Sequence, residues 1–128
     1  MTDIYSKDLL KGKTAFVAGG SSGINLGIAE QYAELGANLV ILSRSQDKID
    51  VAVKGLQKKG AKALGIATDV RDYNGVLEAF KKTHSEFGDI HCVISGAAGN
   101  FLSPIVGLSS KGFQTVIDID LVLSLIHI

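Results

Sequence analysis

A chain of 128 residues has enough material for one domain with a real core, and not for two. Hydrophobic residues make up 46% and charged residues 20%, an ordinary soluble balance, and 13 basic against 13 acidic side chains leave no net charge to attract nucleic acid or a strongly charged partner. The single cysteine, Cys92, excludes an internal disulfide, no apolar run reaches membrane-spanning length, and the polar start Met1-Thr-Asp-Ile-Tyr-Ser-Lys7 is no signal peptide, so the expected setting is reducing and cytoplasmic.

Residues 1 to 13 read as a polar lead-in. Thr14 to Ala18 is an apolar run of strand length, and Gly19 to Gly23 is a glycine-rich turn. Ile24, Ile28, Tyr32 and Leu35 then fall on one face of a helix that Gly36 can stop. Leu39-Val-Ile-Leu42 is unbroken and apolar, as expected of a parallel strand covered on both faces. After Ser43-Arg44-Ser45, residues Ile49, Val53 and Leu56 mark a second helix ending near Gly60. Ala63 to Ala67 reads as a third strand closed by Thr68-Asp69, and Asp72 can cap a third helix through Val76, Phe80 and Phe87, stopped by Gly88. Cys92-Val-Ile94 is a fourth strand opening into Ser95-Gly-Ala-Ala-Gly99. Beyond Pro104, Ser109 or Ser110 can start a fourth helix through Phe113, Ile117 and Leu121. Strands alternating with amphipathic helices through short loops predict an α/β, doubly wound parallel sheet with right-handed crossovers.

A strand that turns through glycines into a helix aims the helix's unpaired N–H groups, and the positive end of its dipole, at the turn. Gly19 can take backbone angles closed to other residues, Gly23 lets the backbone approach a phosphate, and Ser21 and Ser22 add hydroxyl donors. The stretch reads as the pyrophosphate cradle of a dinucleotide. An ordinary glycine-bearing turn is the plain competitor. Four polar or glycine-rich loops at the carboxyl ends of the strands (19–23, 43–45, 68–69 and 95–99) favour the dinucleotide, because ligands bind along that edge of open α/β sheets. Gly12-Lys13-Thr14 resembles the end of a P-loop, but Lys7 stands where that motif needs glycine.

An acidic residue after the second strand would suit the ribose hydroxyls of NAD. Arg44 can instead fork onto the extra phosphate of NADP, unless it is only a solvated loop charge. Asp69, beside Val70, can accept from the adenine amino group or act as a helix cap, and Gly96 to Gly99 can lie flat beside the cofactor or form a tight turn. The candidate contacts to NADP(H) are therefore Gly19, Ser21, Ser22, Gly23, Ile24, Arg44, Asp69, Val70, Gly96, Ala97 and Ala98. Cys92 reads as a small buried hydrophobe, and His84 and His91 as structural residues without metal-ligand spacing.

These residues resemble the short-chain dehydrogenase/reductase family across nearly the whole chain. Its T-G-x-x-x-G-x-G motif appears as Ala18-Gly19-Gly20-Ser21-Ser22-Gly23-Ile24-Asn25, its aspartate after the third strand as Asp69, and its N-N-A-G stretch as Gly96-Ala97-Ala98-Gly99. Asn25 in place of the third glycine, Gly99-Asn100-Phe101-Leu102, and Ile117-Asp118-Ile119-Asp120-Leu121, where the wider family has asparagine at 120, look like the 2,4-dienoyl-CoA reductase branch of peroxisomal and bacterial type. The resemblance implies a Rossmann-type fold, NADPH as hydride donor, a fatty-acyl thioester substrate, a homo-oligomeric parent enzyme, and a proton relay through Asp120 and a later lysine. A solvent-facing or capping carboxylate is the alternative for Asp120.

The family's Tyr-x-x-x-Lys pair is missing: Leu9, Gly36 and Leu77 stand four past Tyr5, Tyr32 and Tyr73. The doubly wound fold expects strands in the order 3-2-1-4-5-6, and this sequence supplies the 3-2-1-4 part, leaving an apolar sheet edge. The last residues, Leu123-Ser-Leu-Ile-His-Ile128, are the in-frame translation of CTG TCT CTT ATA CAC ATC, a transposon end used in sequencing libraries. The expectation is that residues 1–122 are the cofactor half of a longer enzyme and 123–128 are adapter read-through. A 3-oxoacyl or other carbonyl reductase of the same family and a non-catalytic dinucleotide-binding module are the alternatives. A methyltransferase is disfavoured by Arg44, for which its cofactor has no phosphate.

Overall fold

The computed structural model describes residues 5–99 and 103–122. The motif residues Asn100, Phe101 and Leu102 and the segment 123–128 lie outside the described residues. The elements run β1 (Thr14–Ala18), α1 (Gly23–Glu34), β2 (Asn38–Ser43), α2 (Gln46–Lys58), β3 (Ala63–Ala67), α3 (Tyr73–Phe87), β4 (Cys92–Ser95) and α4 (Ser110–Ile117). A single π-helical turn, Asp118–Val122, continues α4. The sheet is parallel throughout, in the order β3-β2-β1-β4. This is the α/β, Rossmann-type order that the sequence predicts.

Alternation along the two central strands builds both halves of the core. Ala15 and Val17 of β1, in register with Leu39 and Ile41 of β2, face α1 and α2 and pack with Ala29, Ala33, Ile49 and Leu56. Phe16 and Ala18, in register with Val40 and Leu42, face α3 and pack with Val76 and Ala79. Phe16 is fully buried and stacks on Phe80 of α3 with ring centroids 4.4 Å apart. Gly65 of β3 leaves the space that Ile49 of α2 fills, so this helix lies close on the sheet.

Several local expectations are corrected. The buried face of α1 is Ala29 and Ala33, whereas Ile24, expected on the apolar face, is 84% exposed. Small residues let the helix approach the sheet, and the larger apolar ones sit at its flanks. Strand β2 reaches Ser43 and β4 reaches Ser95. Cys92 is half-buried rather than buried, because β4 is the sheet edge. Asp72 stands at the N-cap of α3 without a side-chain cap bond, whereas Ser109 does cap α4, accepting from Gly112 N at 3.1 Å. Phe113 and Leu121 are largely exposed, so among the described residues these two apolar positions of the expected fourth helix join no core cluster. Within the lead-in, Leu10 N–H donates to Leu35 O at 2.8 Å and its side chain packs against the core cluster that holds Ala29 and Ala33. His91 is structural as expected, its Nδ1 accepting from Thr14 N–H at 3.2 Å.

Candidate functional site

The carboxyl ends of all four strands open onto one cleft of about 650 Å³, within the size range of small-molecule sites. Gly19 leaves β1 with its N–H donating to Leu42 O at 2.8 Å and with φ +77°, a conformation that glycine adopts freely. A Cβ there would stand 3.0 Å from Ala97 Cα and N, so the loops after β1 and β4 touch backbone to backbone. Ser22 follows in extended conformation as the N-cap of α1. It makes no side-chain cap bond, and the first turn of α1 holds no acidic residue. The first N–H groups of that turn and the positive end of the helix dipole are therefore met neither by the Ser22 side chain nor by a carboxylate of the turn itself.

Of the expected cofactor contacts, Gly19, Ser21, Ser22, Arg44, Asp69, Val70, Gly96, Ala97 and Ala98 line this cleft, whereas Gly23 and Ile24 do not. These two form the start of α1, with Gly23 at φ +63° and open space where a Cβ would point. Ser21, expected to donate to a phosphate, instead donates its hydroxyl to Ser43 Oγ at 2.8 Å, tying the first loop to the end of β2.

Arg44 lines the cleft beyond β2 together with Lys48, from the first turn of α2, and Arg44's charge acts on Asp69 across it. Lys48 was not singled out from the sequence. Its position four residues after Arg44, at the start of a helix beside the same loop, is the signal that could have found it. Arg71 was missed as well. Its Nε and NH2 donate to Asp69 Oδ1 and Oδ2 at 2.9 and 2.6 Å, and its backbone N–H adds a third bond to Oδ1 at 2.9 Å. The carboxylate thus arrives at the cleft already oriented by its neighbour.

The Arg71 fork holds the Asp69 carboxyl down from its ordinary value of 3.8 to about 2 against the opposing effect of partial burial, with further help from the backbone bond and the charge of Arg44. The sign follows from linkage: a depressed carboxyl contributes stability that is complete above the ordinary value and is lost as pH falls through the folded one. Because solvent reaches both side chains, we expect Arg71→Ala to lower stability only modestly at neutral pH. That difference should shrink between about pH 4 and about pH 2, as followed by urea denaturation across that range.

Gly96 N–H continues the ladder to Ala18 O at 3.1 Å, and Asn25 Nδ2 of α1 donates to Gly96 O at 2.7 Å and to Gly19 O at 3.4 Å. At the far end of this loop Gly99 N–H donates to Asp120 Oδ1 at 3.1 Å, while Ile119 fills the space a side chain at 99 would need. Asp120 therefore sits against the wall of the cleft as a partner of the β4 loop.

A dinucleotide fits this donor set: an uncapped helix start for a diphosphate, two cations after β2 for a further phosphate, and a fixed acceptor after β3. The short chain dehydrogenase profile matches residues 13–127. The chain belongs to the short-chain dehydrogenase family.

The relatives of this short-chain dehydrogenase chain include the peroxisomal 2,4-dienoyl-CoA reductases of Danio rerio, 45% identical over 93% of this chain and 40% of the relative, and of Saccharomyces cerevisiae, 44% identical over 91% and 41%. Among solved structures, the citronellol catabolism dehydrogenase of Pseudomonas aeruginosa superposes with a TM-score of 0.89 at 30% identity, covering 98% of this chain and 52% of that one. The L-sorbose reductase of Gluconobacter frateurii, complexed with NADPH and L-sorbose, gives a TM-score of 0.87 at 28% identity over 94% and 46%. The chain spans about 40% of the length of these curated relatives.

Proposed function

We propose that this chain is the cofactor-binding half of an NADPH-dependent reductase acting on a 2,4-dienoyl-CoA or related fatty-acyl thioester. The observation that carries the reading is the meeting, in one cleft, of Gly19, Ser22 and Asn25 from the turn into α1 with Arg44 and Lys48 on one side and Asp69 on the other. Relatives named as 2,4-dienoyl-CoA reductases support the substrate class.

In this reading the backbone from Gly19 to Ile24 binds the diphosphate, Arg44 and Lys48 the 2′-phosphate, and Asp69 with Val70 the adenine. Gly96, Ala97 and Ala98 form the flat wall that orients the carrier. The hydride for the conjugated thioester would come from the nicotinamide held against this wall. Asp120, anchored by Gly99 N–H, takes part in the proton relay together with a later lysine. The catalytic lysine belongs to sequence beyond residue 122. The exposed Val93 of edge strand β4, and the exposed Phe113 and Leu121, support further chain covering apolar surface and a homo-oligomeric parent. The lone thiol supports a reducing compartment such as the cytoplasm, and the relatives' names add the peroxisome as the second place to look. Among the described residues no helix is long and apolar enough to cross a membrane.

The purified 128-residue chain is expected to bind NADPH weakly and to leave its absorbance unchanged in the presence of a 2,4-dienoyl thioester. Adding the downstream coding sequence should restore oxidation of NADPH. Turnover by the short chain would overturn the division of labour, and a longer chain that reduces only 3-oxoacyl thioesters would overturn the substrate class.

A further inference from the structure

Asn25 and Gly96 lie far apart in sequence, and each departs from the family's spelling, which has glycine at the first position and asparagine at the second. In the fold they touch. Asn25 Nδ2 donates to Gly96 O at 2.7 Å, and a Cβ built on Gly96 would fall on the Asn25 amide group. Gly96 is not among the glycines with positive φ, so its backbone conformation is open to any residue, and the Asn25 amide is what excludes a side chain. The same amide also reaches Gly19 O at 3.4 Å, on the loop whose glycine is pressed against Ala97.

We propose that Asn25 and Gly96 are a matched pair: an amide carried on α1 occupies the side-chain space of the β4 loop and sets the gap between loops 19–23 and 96–99. Asn25 is then a positioning residue for the diphosphate and nicotinamide end of the carrier, with no bearing on the adenosine end at Arg44 and Asp69. The positioning role rests on the cofactor reading above; the pairing itself does not.

The test is a double-mutant cycle of Asn25→Ala, Gly96→Ala and the double variant, read first as thermal stability and then as ligand affinity. Gly96→Ala should lower the melting temperature clearly when Asn25 is present and little when it is absent. Asn25→Ala, losing a part-buried hydrogen bond, should weaken NADPH roughly five- to tenfold while leaving adenosine 2′-monophosphate within about twofold, since a merely structural loss would weaken both. Should Gly96→Ala fail to fold, recovery of folding in the double variant supports the pair and its failure overturns it. Additive stability effects, or equal weakening of both ligands, would overturn the proposal and leave the cofactor reading standing. If the unaltered chain binds neither ligand, the cofactor reading falls and the positioning role falls with it.

Discussion

Gly19→Val is expected to weaken dinucleotide binding by about 100-fold or more. The backbone at 19 has φ +77°, where a side chain costs about 1–2 kcal/mol. The added Cβ would stand 3.0 Å from Ala97 Cα and N and 3.1 Å from Gly96 C, and these are backbone atoms that cannot rotate aside. Forcing the loops apart adds about 1–3 kcal/mol of overpacking. Together these disrupt the turn that aims the first N–H groups of α1, and about 3 kcal/mol corresponds to the stated loss. Isothermal titration with NADPH checks it. Gly27→Ala is the control: it lies on the same helix, with no positive φ and nothing within 4 Å of a new Cβ, and should bind as the parent chain does. Equal affinity in Gly19→Val and Gly27→Ala would remove the loop from the site.

Arg44→Glu should reverse the choice of carrier. An arginine beside a phosphate contributes about 1.5–3 kcal/mol through charge-assisted bonds, and a glutamate both removes this and repels the anion. The ratio of NADPH to NADH affinity should fall by more than about 100-fold. NADH itself should hold its affinity or gain, because a carboxylate at this place suits ribose hydroxyls. Competitive titration of the two carriers reads the ratio directly. A ratio unchanged within about twofold would make Arg44 a solvated loop charge and leave Lys48 as the cation to examine.

The order of elements was legible because each local signal agreed with the global one. Four apolar runs each ended in glycine or small polar residues, and the helices between them had clear stops, so the strand order and the cleft edge followed from general rules of parallel sheets. The misreadings arose where tertiary contact overrides periodicity. Ile24 fits an apolar stripe on paper, but a helix laid close on a sheet buries alanines, and Ala29 and Ala33 win that face. The role of Ser21 could not be read because its partner, Ser43, comes from the next strand. Asp69 was visible as an acceptor, but the guanidinium that holds it lies two residues on, in a stretch that reads as a generic charged turn. Asn25 stands out in the sequence as a departure from the glycine motif and Gly96 only as part of the stretch after β4, and their contact in space gives them a common meaning.

The central claim is that a phosphate-rich dinucleotide lies across the carboxyl edge of the sheet, gripped by the start of α1 and sorted by Arg44. The most direct measurement is a titration of the isotopically labelled 128-residue chain with NADPH, followed residue by residue in amide NMR spectra. Shifts are expected to concentrate at Gly19 to Ile24, Arg44, Lys48, Asp69, Val70 and Gly96 to Gly99, with smaller changes near Arg44 when NADH is used. Shifts confined to the opposite edge of the sheet around Leu10, Tyr32 and His91, or none at saturating NADPH, would contradict the central claim.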